Sequence, residues 1–137
     1  MTESIKDSAA GLAPALQEIF YTLHRYPELG NREHRTAALI RRRLEELGIA
    51  YTITADTGTA AVIRGAEPGR TIGFRADMDA LPIQEETGLP YASRTPGVMH
   101  ACGHDFHTAA LLGAAELLQR RRGELRGNVK LFFQPDE

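Results

Sequence analysis

The second half of the sequence alternates strand and helix patterns in an order that restricts the possible folds. RTIGFRADM (70–78) is short and rich in β-branched residues, HTAALLGAAELLQRRR (107–122) has apolar residues at helical spacing, and NVKLFFQ (128–134) indicates a buried strand ended by Pro135. A strand followed by a helix and a second strand implies a crossover connection and parallel pairing. The sequence therefore predicts an α/β fold with a mixed, partly parallel sheet flanked by helices.

Two helical patterns precede these segments, and each carries one apolar stripe. The residues at helical spacing are Leu12, Leu16, Ile19, Phe20 and Leu23 in the first pattern, and Ala37, Ile40, Leu44 and Leu47 in the second. Pro27 and Gly30 break the chain between the two helices. Gly48 is placed to cap the C-terminus of the second helix.

Beyond the second helix the sequence takes on the pattern of strands. AYTIT (50–54) and TAAVIRG (59–65) are short stretches rich in β-branched residues. Residues 56–58 and 67–69 carry turn signals, D-T-G and E-P-G, which separate these stretches from each other and from the strand that follows. Three successive strands are therefore predicted before the third helix.

A long loop is predicted between the third strand and the third helix. Residues 80–97 contain three prolines and two glycines, and a loop of this length in a compact domain is usually functional or disordered. We predict an ordered loop here. Asp105 is a candidate N-cap for the helix that follows. The predicted inward face of that helix consists of Leu111, Ala114, Ala115 and Leu118.

Composition limits the classes of protein that need to be considered. The chain has 137 residues, 42% hydrophobic and 25% charged, which is typical of one globular domain. A net charge of −2 provides no electrostatic case for binding nucleic acid or an anionic membrane. One cysteine excludes an intramolecular disulfide, and the sequence lacks both an apolar run long enough to span a bilayer and a secretory signal. We therefore predict a cytoplasmic location.

Three of the five histidines and the only cysteine lie within GVMHACGHDFHTAALL (97–112). Cys102 and His104 are two residues apart, so their side chains share a face if the segment is extended. Gly97 and Gly103 give the backbone the freedom to aim both side chains at one point. Thiolate and imidazole are good ligands for Zn²⁺ and neighbouring transition metals, and this spacing is therefore consistent with a metal site.

Two other interpretations of this cluster remain open from the residues alone. Cys102 could be a small buried hydrophobe among polar loop histidines, or a thiol nucleophile with His104 as its base. Carboxylates lie near both predicted strand ends, at Asp77 and Asp79 and at 136–137. This combination favours the metal site.

Four segments together resemble a known family. LHRYPELG (23–30), FRADMDALPIQEETGLPYAS (74–93), GVMHACGHDFHTAALLGAA (97–115) and LFFQPDE (131–137) are similar to metal-dependent amidohydrolases of the aminoacylase and carboxypeptidase type, within the zinc-peptidase superfamily. The branch that contains hippurate hydrolase and the indole-acetyl-amino-acid hydrolases is the most similar. The resemblance implies that residues 1–137 are the N-terminal part of a catalytic domain. The remaining half of that domain and a dimerisation or lid domain would be absent from this chain.

The resemblance implies a centre with two divalent metal ions, Zn or Mn, in each full-length chain. Its metal ligands would include Cys102 and His104. Glu137 corresponds to the carboxylate that acts as general base and acid in a QPxEE motif. Another carboxylate ligand and two histidine ligands would lie beyond the end of this sequence.

Further residues are expected around these ligands. Asp77 stands where the wider superfamily has the histidine of a His-x-Asp motif, which leaves its direct metal role open. Asp79 is expected to orient His104, which we interpret as replacing that lost imidazole. Asp105 and His107 are candidates for hydrogen bonding to a ligand.

The activity implied by the resemblance is hydrolysis of the amide bond of N-acyl or N-aroyl amino acids, which releases a carboxylate and a free amino acid. The substrate would be a small molecule, and the full-length protein a homo-oligomer. Two alternatives are an inactive truncated fragment that serves as a folded binding module, and a cysteine-nucleophile amidase.

Of the other histidines, we expect a capping or packing role for His24, a surface position for His34 and a structural role for His100.

Overall fold

The computed structural model describes residues 3–137, which form one sheet and a layer of helices. The elements are α1 (Ile5–Arg25), α2 (His34–Glu46), β1 (Ala50–Thr54), β2 (Gly58–Arg64), β3 (Glu67–Asp77), α3 (His104–Arg120), a 3₁₀ turn (Arg122–Glu124) and β4 (Arg126–Gln134). None of the helices within residues 3–137 is long and apolar enough to cross a membrane.

The four strands form a mixed sheet in the order β1-β2-β4-β3. β2 pairs antiparallel with β1 and β4, whereas β3 and β4 are parallel and are connected through α3. This arrangement confirms the predicted α/β fold with a partly parallel sheet. Asp77 at the end of β3 lies opposite Gln134 at the end of β4, so both strands end at the same edge of the sheet. Residues that follow them are therefore brought together at that edge.

The core lies between one face of the sheet and the helices. Alternate residues of β4 point into it, and Leu131 and Phe133 are almost completely buried. They pack with Ile40 and Leu44 of α2 and with Leu112 of α3 in one hydrophobic cluster. Burial of such side chains is the main stabilising contribution to a domain of this size. The strand predicted at 128–134 is present but is buried on one face only.

Gly48 ends α2 as predicted, because it adopts a left-handed conformation with φ +69°. Residues 78–103 contain no helix or longer strand, which agrees with the predicted loop. One isolated β-bridge, between Leu29 and Ala80, ties this loop to the segment between α1 and α2. A second bridge, between Leu81 and Met99, joins two parts of the loop itself.

The turn predicted at 67–69 is wrong, because these residues belong to β3. The strand is at the edge of the sheet, where a proline is tolerated, and it changes register between Glu67 and Thr71. Gly69 marks a close approach of two backbones: a Cβ atom there would lie 2.7 Å from the nitrogen of Gly127. A glycine required for close packing was thus mistaken for a turn signal.

Gly127→Ala is expected to lower the free energy of unfolding by more than about 2 kcal/mol. Gly127 has φ +87°, and a Cβ atom there would lie 1.9 Å from the carbonyl oxygen of Arg70. Urea denaturation of the full-length protein measures the change. Gly123→Ala is the matched control, since a Cβ atom there meets nothing within 4 Å. Equal stability of the two variants would show that β3 can move away from β4 at low cost.

Candidate metal centre

Three potential metal ligands converge at the edge where β3 and β4 end. Each of Cys102, His104 and Glu137 has a potential ligand atom that lies within 4.8 Å of those of the other two residues. His104 is the first residue of α3, and Glu137 lies three residues beyond β4. Cys102 precedes Gly103, whose left-handed conformation, φ +86°, turns the chain from the loop into α3. His104 Nε2 is 3.4 Å from Glu137 Oε2.

Asp79 determines which nitrogen of His104 faces this cluster. His104 Nδ1 lies 3.0 Å from the carbonyl oxygen of Asp79 and 3.0 Å from its Oδ1, and both side chains are buried. Because both of these partners are acceptors, Nδ1 carries the proton. The lone pair of the neutral ring is then on Nε2, on the side of Cys102 and Glu137. A ligating histidine is commonly oriented by a carboxylate in this way.

The donor set fits a divalent transition metal. Thiolate, imidazole and carboxylate bind Zn²⁺ at about 2.0–2.3 Å, which puts neighbouring ligand atoms about 3–4 Å apart. Small side-chain movements would bring the three atoms from their present separations to such distances. His104 is buried, whereas Cys102 is exposed and the Glu137 side chain is 50% exposed.

The other predicted residues around the centre are placed as follows. Asp105 was a candidate N-cap, but the N-cap of α3 is Gly103, and Asp105 falls in the first turn. Its carboxylate faces His24. His107 is exposed, and its ring centroid is 6.0 Å from that of His104. Asp77 accepts a hydrogen bond of 2.8 Å from Arg75.

A buried hydrogen-bonded group that the sequence did not predict consists of His24, Asp105 and Glu85. His24 Nδ1 is 2.6 Å from Asp105 Oδ2, and His24 Nε2 is 3.0 Å from Glu85 Oε1. With a carboxylate at each nitrogen, both hydrogen bonds form only if the ring is doubly protonated. The three residues come from α1, the long loop and the first turn of α3. His24 was predicted to cap or pack, and no local pattern links it to residues 61 and 81 positions away.

Glu85 is held in its charged form by several donors. Burial by itself raises its pKa, but hydrogen bonds from Thr87, from the backbone amide of Ser93 and from His24 outweigh burial, so that the pKa is lowered. The Glu85 side chain is only 2% exposed. The loop at 80–97 is thus anchored to α1 by the buried contact between Glu85 and His24.

His24→Ala is expected to lower the free energy of unfolding by about 3 kcal/mol at pH 7, because it leaves two buried carboxylates without their common partner. In the wild type, the stabilising contribution of Glu85 is present above its unfolded pKa, near 4.5, and is lost as the pH falls below that value. The difference in the free energy of unfolding between wild type and variant should therefore become smaller below pH 4.5. Urea denaturation at several pH values measures this difference. His34→Ala, at an exposed position, is the control and should change stability by less than about 0.5 kcal/mol.

His100 is buried, and neither ring nitrogen has a hydrogen-bond partner within residues 3–137. Burial lowers its pKa to about 4, against the attraction of Asp105 and Asp79. The ring is therefore neutral at pH 7. His34 is exposed, as predicted.

Comparison with known proteins identifies the class to which this fold and site belong. Residues 73–137 match the family model of peptidase family M20/M25/M40, and this range includes the end of β3, the long loop, α3, β4 and all three potential ligands. The chain belongs to this family, which confirms the resemblance found in its sequence.

Individual relatives support this assignment. The chain is 57% identical over 116 residues to an N-acetyl-L-cysteine deacetylase of Bacillus subtilis, covering 84% of this chain and 28% of the relative. It is 46% identical over 116 residues to an N-acyl-L-amino acid amidohydrolase of Geobacillus stearothermophilus, covering 84% and 31%. A dinuclear metal-binding peptidase of family M20 from Bacillus subtilis has a similar structure, with a TM-score of 0.90 and 49% identity over 93% of this chain and 36% of that one. The chain thus spans about a third of the length of these relatives.

Proposed function

We propose that the full-length protein hydrolyses the amide bond of N-acyl or N-aroyl amino acids and releases a carboxylate and a free amino acid. The observation that carries this proposal is the convergence of Cys102, His104 and Glu137, within 4.8 Å, at the common end of two parallel strands. Ligand sites in open α/β sheets lie at this end of the strands. The names of the relatives, a deacetylase and an amidohydrolase, support the same reaction class.

Cys102 and His104 would hold metal in a centre for two divalent ions, and Asp79 would keep His104 in the tautomer that offers Nε2. The ions, zinc or manganese, would supply Lewis-acid polarisation of the scissile carbonyl and a water of lowered pKa. The thiolate favours zinc of the two, because manganese prefers oxygen ligands. The similar peptidase of family M20 binds two metal ions, which supports a dinuclear centre here.

Glu137 would carry the protons. Its Oε2 lies 3.4 Å from His104 Nε2, so its carboxylate can reach a water molecule at the centre. It would accept the proton of the attacking water and pass it to the nitrogen of the departing amino acid. A carboxylate with this role must be close to the metal without being required to bind it.

One experiment separates this function from the two alternatives. The full-length protein is assayed on N-acetylcysteine and other N-acyl amino acids before and after dialysis against a chelator, and its metal content is measured. We expect activity to disappear with the metal and to return with Zn²⁺ or Mn²⁺. Activity that survives chelation but is lost on thiol alkylation would instead establish a cysteine nucleophile. A protein that holds no metal and hydrolyses none of these substrates would be a binding module.

We further propose that residues 1–137 are the N-terminal part of a catalytic domain, and that the rest of that domain and a dimerisation domain occupy the remainder of a longer chain. The greater length of the relatives supports this proposal. The full-length protein would be a cytoplasmic homo-oligomer. Light scattering of the purified full-length protein gives its mass, and a monomeric mass would contradict the oligomer.

A further inference from the structure

Glu137 follows a residue with an uncommon backbone conformation. Asp136 has φ +47°, in the left-handed region, which few residues other than glycine adopt. Such a conformation costs free energy and persists only when surrounding contacts hold it. The direction in which the chain leaves Asp136 determines where the Glu137 side chain lies. The contacts of Asp136 are therefore relevant to the candidate centre.

The segment between α1 and α2 supplies these contacts. The Asn31 side chain donates a hydrogen bond of 2.7 Å from Nδ2 to Asp136 Oδ2. The backbone N–H of Asp136 donates to Glu33 Oε1 at 3.0 Å. Glu33 is 0% exposed, and its second carboxylate oxygen accepts a hydrogen bond of 2.7 Å from the Thr57 hydroxyl. A polar group buried to this extent needs hydrogen-bond partners, and the backbone N–H of Asp136 is one of them.

Gly30 makes room for this arrangement. A Cβ atom at Gly30 would lie 2.0 Å from Asp136 Oδ1, so a larger residue would displace the Asp136 side chain. The segment is itself fixed at its start. The carbonyl oxygen of Glu28 accepts from the backbone N–H of Ala80 at 2.8 Å, and its carboxylate accepts from the amides of Arg35 and Thr36 at the start of α2.

We propose that Gly30, Asn31 and Glu33 form a clamp on Asp136 that positions Glu137 for proton transfer. Asn31 and Glu33 are positioning residues in this proposal, which rests on the proposed function of the centre. Without the clamp, Asp136 can relax to negative φ, which turns Glu137 away from His104. A displacement of about 1 Å at a reacting group can reduce the rate by about 10²-fold. The clamp also provides a role for the end of the LHRYPELG segment and the residues that follow it.

Asn31→Gly in the metal-loaded, full-length protein tests the clamp. Glycine tolerates the positive φ of residue 31, +61°, and removes the side chain that donates to Asp136. We expect kcat on an N-acyl amino acid to fall by about 10- to 100-fold, with KM, metal content and melting temperature unchanged. Asn31→Asp, which puts a second carboxylate against Asp136, should have an effect at least as large. Arg32→Ala, at the adjacent exposed position, is the control and should retain the wild-type kcat.

Hydrogen exchange provides a readout that does not depend on activity. The Asp136 amide should exchange at least tenfold faster in Glu33→Ala than in the wild type, because it loses its acceptor. In Glu33→Gln the remaining carbonyl oxygen can still accept, and exchange should stay close to the wild-type rate. Mass spectrometry of peptides that end on either side of Asp136 measures the rates.

The outcomes separate this inference from the proposed function. An active wild type whose Asn31→Gly and Asn31→Asp variants keep the full kcat overturns the clamp and leaves the hydrolase proposal in place. Unchanged exchange at Asp136 in Glu33→Ala also overturns it. A wild type with metal but no hydrolysis of N-acyl amino acids refutes the proposed function, and with it the catalytic purpose of the clamp.

Discussion

Glu137→Gln in the full-length protein is expected to abolish turnover and to leave the metal ions bound. Glutamine keeps the size of the side chain but cannot accept a proton, and the loss of a general base typically costs about 10²–10⁴-fold. Because glutamine is isosteric with glutamate, the substitution should not affect folding. We expect kcat to fall by at least about 10²-fold. Steady-state kinetics and metal analysis on the same preparation measure the two effects together.

The metal content decides between two roles for Glu137. Its carboxylate is one of three groups close enough to share an ion, so its geometry also allows direct ligation. A Glu137→Gln protein that lost its metal would be evidence that Glu137 is a ligand, and that another residue takes the proton. Glu124→Gln is a suitable control, because Glu124 is exposed in the 3₁₀ turn beyond the far end of α3. It should retain both activity and metal.

Cys102→Ala and His104→Ala are each expected to remove metal from the full-length protein, and activity with it. Each substitution deletes a ligand. Changing a residue that only orients a ligand typically lowers metal affinity by about 10–100-fold, so deleting the ligand itself should lower metal affinity by at least about 100-fold. Asp79→Asn should weaken binding less, because Nδ1 of His104 keeps the carbonyl oxygen of residue 79 as a partner. Elemental analysis after dialysis against buffers of fixed free Zn²⁺ measures the metal affinity of each variant and so ranks the three substitutions.

His107→Ala is the matched control for these variants. His107 lies one helical turn from His104, but it is exposed, and its ring centroid is 6.0 Å from that of His104. We expect the variant to bind metal with wild-type affinity. A Cys102→Ala protein with normal metal content would exclude the thiolate as a ligand.

Local periodicity was sufficient to predict most of the fold. Apolar spacing identified the three helices, and stretches of β-branched residues identified the strands, because both signals depend on neighbours a few positions apart. The order of elements then required the parallel pairing of β3 and β4. A glycine can indicate either a turn or a close contact between backbones. At Gly69 the sequence alone did not distinguish the two.

The sequence by itself determined that Cys102 and His104 are near each other, since one glycine separates them, and the family resemblance linked Glu137 to the same site. Only the tertiary structure joined His24 to Glu85 and Asp105, and Asn31 and Glu33 to Asp136. These partners are 61 to 105 positions apart in the chain. Contacts of this kind depend on how the loop, the helices and the strand ends pack, and a pattern along the chain contains no information on the distance between such side chains.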